Sequence, residues 1–292
     1  MNIFSMFGRL TLKPVWSFTA EGVLWRVLFG ARGRIAGESR NTEKKTTSFF
    51  CLDGSSGTLL WQNLKLEEPW WVGMEAIHND VVILHGFEKP DLPEHKRIYV
   101  LEAATGKELW RNLRLTFWFA YKDRLFAYEE RFDRRVGHVL SLTNGEILET
   151  HEEGIESFAP VRQLSREENV QEQLLFPEPF DIGGLQSDVK EMIARETKRK
   201  IMSSPLEGIV REGYLLLGYY CPARDSTPVV PRLESHFVIV DRRRGKPVFS
   251  EVLQANASAP VPDSFFIKES TVYYVKDQRT LSAIALPENK ES

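Results

Sequence analysis

The sequence has few cysteines and lacks the histidine spacing of a zinc site. It contains only two cysteines, Cys51 and Cys221, and neither belongs to a C-x-x-C motif. Both lie in apolar runs, so we expect buried, reduced thiols of the kind found in a reducing compartment. No pair of histidines has H-x-x-x-H spacing, so no metal site is predicted. The six histidines are His78, His85, His95, His138, His151 and His236.

Long apolar runs and an excess of basic residues are also missing. No segment approaches the ~18 apolar residues of a membrane span. Residues 1–9 lack a basic stretch followed by an apolar one, and Arg9 and Lys13 interrupt the apolar residues, so a cytoplasmic protein without a secretory signal is expected. With 38 basic and 41 acidic residues the net charge is −3, which does not favour a nucleic-acid partner.

Common catalytic motifs are absent as well. The sequence has no G-x-S-x-G, P-loop or G-x-G-x-x-G pattern. The Gly54–Gly57 segment is followed by a predicted strand rather than a helix, so it is interpreted as a hairpin turn and not as a phosphate-binding loop. These absences favour a protein that is not an enzyme and has no cofactor.

An internal repeat is the main feature that is present. Leu52–Trp61 aligns without gaps with Leu101–Trp110, and the same frame fits Leu140–Glu149 and Val240–Phe249. Each copy reads as an apolar strand, a polar stretch that ends in glycine, and a second apolar strand. Glycine supplies the positive φ that a tight hairpin needs, so four hairpins are predicted. Their glycines are Gly57, Gly106, Gly145 and Gly245.

The two ends of the sequence complement each other. Lys13–Ser17 matches the second strand of the repeat at Lys246–Ser250, but no first strand precedes it. Near the other end, residues 265–267, 271–275 and 281–286 form three predicted strands with no fourth. We therefore predict that residues 14–19 supply the missing outer strand and close a ring of sheets.

The repeat spacing predicts an all-β propeller of degenerate four-stranded blades. The last repeat position, which is aromatic in most copies, falls at residues 16, 61, 110, 149 and 249. The long final interval favours about six blades in one domain over residues 1–292, and five or seven are also compatible. The extra blade is assigned to residues 150–205, with an inserted helix at about 187–201 that begins at Ser187 and has Val189, Met192 and Ile193 as its apolar stripe.

The pattern Leu-Asp/Glu-x-x-Thr/Ser-Gly-x-x-Leu-Trp resembles the repeat of quinoprotein (pyrroloquinoline-quinone-type) propellers. It is similar also to repeats of a bacterial outer-membrane assembly lipoprotein. The resemblance implies a propeller fold. The enzymes of that family have about eight blades, a vicinal disulfide and a calcium site, and this sequence matches none of these features. It is therefore identified as a member of the superfamily without the enzymes' cofactor site.

Two sets of residues are candidates for binding. His85 and His95 flank a loop that carries Glu88, Asp91 and Glu94; this loop could bind a cation, although a solvated proline-bearing loop is the preferred interpretation. Trp70, Trp71 and Trp118 follow two outer strands at similar offsets, so they are predicted to form a recognition patch on one face. Packing in the core is the competing interpretation for these three tryptophans.

Two function classes remain open. The leading prediction is a non-enzymatic scaffold that binds another protein of unknown identity. The alternative is a small-molecule-binding or hydrolytic propeller with its site in a central channel. The alternative requires polar residues to converge from different inner strands, and Glu75, Tyr121 and Arg162 lie near inner-strand positions. A polar, open channel would favour the alternative, and an apolar plug would favour the scaffold.

Overall fold

The computed structural model describes residues 11–88, 94–197, 206–211, 213–227 and 229–287. The chain is nearly all-β and divides into two compact units. The first unit comprises residues 20–173, and the second comprises residues 1–19 and 174–292. No helix within the described ranges has the length and apolar character needed to cross a membrane.

The first unit contains three four-stranded antiparallel sheets, each with its strands in chain order. The strands are β2 (Val23–Phe29), β3 (Arg34–Asn41), β4 (Thr46–Asp53), β5 (Leu59–Leu64), β6 (Val72–His78), β7 (Val81–Phe87), β8 (His95–Glu102), β9 (Glu108–Asn112), β10 (Thr116–Tyr121), β11 (Arg124–Glu130), β12 (Arg135–Ser141) and β13 (Ile147–His151). The repeat hairpins predicted from sequence join the third and fourth strands of each sheet. These are sheets of the propeller-blade type, as predicted.

A helical segment follows the third sheet of the first unit. It contains a 3₁₀ turn (Glu156–Phe158), helix α1 (Ala159–Glu167) and a second 3₁₀ turn (Val170–Gln173). Pro160 lies in the first turn of α1, where a missing N–H costs nothing. The sequence-based placement of Arg162 near an inner strand is therefore wrong, because Arg162 lies on this helix.

The second unit contains one four-stranded and one five-stranded sheet. Its strands are β1 (Trp16–Thr19), β14 (Glu178–Pro179), β15 (Glu207–Arg211), β16 (Tyr214–Pro222), β17 (Leu233–Asp241), β18 (Lys246–Ala257), β19 (Phe265–Lys268), β20 (Thr271–Lys276) and β21 (Thr280–Ala285). β1 pairs antiparallel with β21, with Trp16 opposite Ala283. This pairing confirms that the N-terminal strand is the outer strand of the last sheet.

Helix α2 (Ser187–Thr197) confirms the predicted helix, including its first residue. The predicted stripe of Val189, Met192 and Ile193 is buried against residues of β16 and β17. The predicted end at residue 201 lies outside the described residues. Arg195 of this helix also donates a hydrogen bond to the carbonyl of Gly245 in a repeat hairpin.

Five sheets form within the described residues, the lowest of the counts that the spacing allowed. In the described part of residues 150–205 we find α1, α2, short 3₁₀ turns and the two-residue strand β14. Helical residues thus take up much of the long interval between repeat positions 149 and 249. The prediction of about six blades had placed an extra blade there. The prediction of a single domain over residues 1–292 stays a prediction.

Both cysteines are free thiols. Cys51 is fully buried in β4, and burial raises the pKa of its thiol to about 11. Cys221 lies near the end of β16 and is partly exposed. The expectation of a buried thiol is therefore right for Cys51 and wrong for Cys221.

Tryptophans of the repeat join neighbouring sheets of the first unit. Trp61 Nε1 donates to the carbonyl oxygen of Ala103 at 2.9 Å, and Trp110 Nε1 donates to that of Leu142 at the same distance. Each indole also lies flat on a hairpin glycine. A Cβ built on Gly106 would lie 2.9 Å from Trp61 Cδ2, and one on Gly145 would lie 2.6 Å from Trp110 Cδ2.

The four repeat glycines all adopt the predicted left-handed conformation. Their φ angles are 69° for Gly57, 73° for Gly106, 73° for Gly145 and 59° for Gly245. At Gly106 and Gly145 glycine meets two requirements at once, because the turn needs positive φ and the neighbouring indole leaves no room for a side chain.

We expect Trp110→Ala to reduce the free energy of unfolding by about 3–5 kcal/mol, because it removes a buried indole and its hydrogen bond. Leu109→Ala, which changes an exposed neighbour on β9, is the matched control. Urea unfolding at neutral pH measures both. A loss below about 1 kcal/mol for Trp110→Ala would contradict a structural role for this side chain.

Candidate functional site

The first strand of each sheet in the first unit carries a β-bulge at a similar place. The register shifts at Trp25 in β2, at Glu75 in β6 and at Trp118 in β10. A bulge leaves one residue unpaired and re-aims its side chain, and bulges are common near binding sites. Trp118 is therefore structurally equivalent to Glu75 and Trp25, and not to Trp70 or Trp71, which precede β6.

Two of these bulge residues line one cavity of about 370 Å³ inside the first unit. Its walls come from the ends of β2 and β6, from β10, and from α1 with the turn that follows it. Glu75, Trp118 and Tyr121 are on this wall, as are Glu168 and Asn169. Polar side chains from different first strands thus converge with aromatic rings.

Hydrogen bonds fix the helical wall of the cavity to the strands. Ser165 Oγ donates to the carbonyl of Ala120 at 2.8 Å, and Tyr121 Oη lies 3.5 Å from Glu168 Oε1. The side chain of Gln171 accepts from the backbone N–H of Phe29 at 3.1 Å and donates to its carbonyl. The helix following the third sheet is thereby tied to the first and third sheets of this unit.

Arg162 packs against Trp118, which lines the cavity. Its guanidinium carbon lies 4.8 Å from the centre of the Trp118 ring, and Trp118 in turn contacts Phe119 and Phe158. The three residues that sequence analysis proposed for convergence, Glu75, Tyr121 and Arg162, are therefore gathered around this cavity, although Arg162 comes from a helix.

Glu75 also belongs to a cluster with two histidines on adjacent strands. His95 Nδ1 lies 2.7 Å from Glu75 Oε1, and His85 Nδ1 lies 3.1 Å from the same oxygen. The two imidazole rings are stacked, with centroids 3.6 Å apart. β6, β7 and β8 supply one residue each, so neighbouring strand positions bring together groups that are distant in sequence.

The protonation of this cluster follows from burial and contacts. Burial opposes ionisation of Glu75, but the two imidazoles in contact with its carboxylate outweigh burial and lower the pKa of Glu75 to about 2. For His85 burial is the larger influence, so its pKa falls below the ordinary value despite the carboxylate beside it. Glu75 is therefore ionised and His85 neutral at pH 7.

The predicted recognition residues lie in two separate environments. Trp70 lies with its ring centre 4.9 Å from Lys45 Nζ and 5.1 Å from the guanidinium of Arg40. Trp71 packs edge-on against Phe87. Trp118 belongs to the cavity wall and shares no ring contact with the other two. All three are partly exposed, and their role in binding stays a prediction.

A buried ion pair supports the surface around Trp70. Arg40 Nε donates to Glu38 Oε1 at 2.6 Å, and both side chains are nearly inaccessible. Glu38 accepts a further hydrogen bond from the N–H of Met74. The Arg40 guanidinium is also 5.0 Å from the centre of the Trp25 ring, and Trp25 is 61% exposed. Arg40 therefore lies against two tryptophans.

Sequence reasoning missed the Glu75–histidine cluster and the Trp25–Arg40–Trp70 group. The loop flanked by His85 and His95 was noticed, but the preferred solvated interpretation ignored the strand that precedes it. The available signal was a continuous apolar run: His85 directly follows four apolar residues of β7, and a polar side chain buried there needs a partner. Asp91 of that loop lies outside the described residues.

The chain is therefore an all-β protein with propeller-type sheets, and its cavity is lined by aromatic rings and carboxylates. A family profile described as "Domain of unknown function (DUF4905)" matches residues 31–110, a range that contains Glu75, His85 and His95. None of the curated proteins compared with the chain matches it.

Two solved structures show weak overall similarity to the chain. A quinohemoprotein alcohol dehydrogenase from Pseudomonas putida HK5 is 9% identical, with a TM-score of 0.30 over 94% of this chain and 40% of that one. An acylaminoacyl peptidase from Pyrococcus horikoshii is 11% identical, with a TM-score of 0.30 over 87% of this chain and 36% of that one. The chain spans less than half the length of either.

The depressed pKa of Glu75 predicts a specific acid sensitivity. Ionised Glu75 contributes stability above its ordinary pKa of 4.5, and this contribution disappears as the pH falls through about 2. In chelator-treated protein, wild type is expected to have a higher free energy of unfolding than Glu75→Gln. We expect this difference to be about 3 kcal/mol larger at pH 6 than at pH 2.

Urea unfolding across this pH range measures the difference. Glu130→Gln, which removes an exposed carboxylate on β11, is the control. A wild-type advantage that stays constant with pH would show that the histidines do not stabilise the Glu75 carboxylate.

Proposed function

We propose that the first unit binds a small polar molecule in the cavity lined by Glu75, Trp118 and Tyr121. The observation that carries the proposal is the convergence of these residues from two first strands in a cavity that α1 also lines. The volume of about 370 Å³ suits a small ligand, and sites of this kind combine apolar walls with a few placed polar groups. No catalytic step is proposed.

The lining residues indicate the chemistry of the ligand. Glu75 is ionised, and its carboxylate and that of Glu168 accept hydrogen bonds. Arg162 lies over the Trp118 ring and Lys122 over the Tyr121 ring, so a ligand would contact the remaining aromatic surface of each. A ligand with ammonium or hydroxyl groups on a compact apolar frame matches this set. An anionic ligand is disfavoured, because the two carboxylates would repel it.

A screen followed by matched variants tests this proposal. Thermal shift with a panel of small amines, aromatic amines and monosaccharides identifies a binder, and calorimetry gives its Kd. Trp118→Leu is expected to weaken binding by about 10-fold, because it removes a ring worth about 1 kcal/mol or more. Trp25→Leu changes the equivalent bulge of another sheet, which does not line the cavity, and should leave the Kd unchanged.

Two results would contradict the proposal: failure of the whole panel to bind, or an equal loss of affinity in Trp25→Leu and Trp118→Leu. Because the control removes the same side chain at an equivalent strand position, it separates a role in the cavity from a general effect of losing a surface tryptophan.

Protein recognition is a second candidate function, favoured by the group around Trp70. Trp25 is exposed and Trp70 is partly exposed, and Arg40 and Lys45 lie against these rings. Exposed aromatic and arginine side chains of this kind are frequent at the centres of protein interfaces. This candidate retains the scaffold role and the residues Trp70 and Trp71 predicted from sequence.

We expect the double change Trp70→Ala with Trp71→Ala to abolish capture of a protein partner from native lysate with little change in Tm. Phe132→Ala, which removes a fully exposed ring at another hairpin, is the control. If the double variant captures the same protein as wild type does, the tryptophans do not form the recognition surface.

A further inference from the structure

We propose that Glu75, His85 and His95 bind a divalent transition-metal ion, for which zinc is the first choice. One carboxylate oxygen and two imidazole nitrogens lie within 4.8 Å of one another. Two histidines and one glutamate are a donor set that zinc commonly takes with three protein ligands and an open fourth position. The proposed site shares Glu75 with the cavity, but it does not require a ligand to be bound there.

The side chain of His85 is the strongest reason to infer a ligand. His85 is 4% exposed, and neither ring nitrogen has a hydrogen-bond partner among the described residues. Its Nδ1 is 3.1 Å from Glu75 Oε1 but is not aligned for a hydrogen bond. Buried polar atoms are rarely left unpaired, because each costs about 1–3 kcal/mol. A metal ion bound at Nδ1 would satisfy this atom.

The spacing of the donor atoms is close to what a metal requires. Donors about 2.0–2.1 Å from a tetrahedral zinc ion lie about 3.3 Å from one another. Glu75 Oε1 lies 3.1 Å from one imidazole nitrogen and 2.7 Å from the other. The two ring planes are nearly parallel, at 11°, and an imidazole nitrogen coordinates a metal in the plane of its ring. Binding therefore requires one imidazole to tilt until both nitrogens point at the ion.

The surroundings hold the cluster in place and keep one side accessible. His85 lies over Gly73, where a built Cβ would be 2.9 Å from His85 Nε2, so only glycine leaves room for this ring. Phe87 packs edge-on against both imidazoles. Thr116 Oγ1 donates to the carbonyl of His95 at 3.0 Å. These contacts fix the positions of the two rings and of the His95 backbone.

His95 connects the cluster with a second cavity of the first unit. This cavity has a volume of about 470 Å³, and the His95 side chain is 36% exposed. Four carboxylates and two basic side chains line the cavity, so its charge favours a cation. They are Glu88, Glu94, Glu129, Glu130, Lys96 and Arg114. An ion could enter from this side, and water could complete its coordination.

Metal titration of the purified chain tests the proposal. Chelator-treated protein is titrated with Zn²⁺ by calorimetry and with Co²⁺, whose visible absorption reports coordination by nitrogen and oxygen. Wild type is expected to bind one equivalent. His95→Gln should weaken Zn²⁺ binding by more than about 100-fold, because even the loss of an outer partner of a metal ligand costs about 10–100-fold. Glu75→Gln should have a similar effect.

His151→Gln is the matched control, because His151 also lies beside a carboxylate, 3.4 Å from Glu149, but has no second imidazole. It should retain the affinity of wild type. His95 is partly exposed, and an unchanged Tm of His95→Gln in chelator establishes that the variant folds. Zn²⁺ should raise the Tm of wild type and not that of His95→Gln.

Absence of Zn²⁺ and Co²⁺ binding to wild type would overturn the proposal and leave a carboxylate–imidazole cluster without a metal. Equal affinity in wild type and His95→Gln would overturn it too, since the ion would then lie elsewhere. His95 does not line the cavity around Trp118, so the two proposals can fail separately. The Zn²⁺ affinity of His95→Gln tests the metal site, and the small-molecule affinity of Trp118→Leu tests the cavity.

Discussion

The contact between a repeat tryptophan and the hairpin glycine of the next sheet is the constraint on which the first unit depends. An indole can lie flat on a turn only where the turn residue has no Cβ, and the same turn needs positive φ. The Nε1 hydrogen bond to a backbone carbonyl then fixes the position of one sheet against the next. Trp61 and Trp110 each make this contact, so the spacing of three sheets follows from two side chains.

The regular spacing of the three sheets places their β-bulges at equivalent positions. Because the three first strands have a similar register, one extra residue in each projects from an equivalent place, and only the identity of the residue differs. Trp25 lies against Arg40 at the surface, Glu75 binds two imidazoles, and Trp118 forms a cavity wall. The same backbone feature thus serves three chemical environments, and both proposed ligand sites include Glu75.

Glu75 is also where the two proposals meet physically. Its carboxylate contacts His85 and His95, and it lines the cavity that contains Trp118. A metal ion at this position would place a positive charge next to the cavity and change which ligands bind there. The two sites can nevertheless be separated experimentally, since His95 contacts only the first and Trp118 only the second.

The sequence by itself determined the local elements: the hairpins, the glycine conformations, helix α2 from Ser187 and the N-terminal strand that pairs with β21. Each of these depends on residues close in sequence or on a recurring repeat, so the sequence pattern was sufficient to predict it. It misplaced Arg162 and assigned a blade to residues 150–205, much of whose described part is helical, because the segment after β13 has neither a repeat nor a clear period. The clusters of Glu75 with His85 and His95, and of Trp25 with Arg40 and Trp70, were decided only by tertiary structure. Strand register and bulge position bring these groups together across adjacent strands, and neither is written in the spacing of the residues themselves.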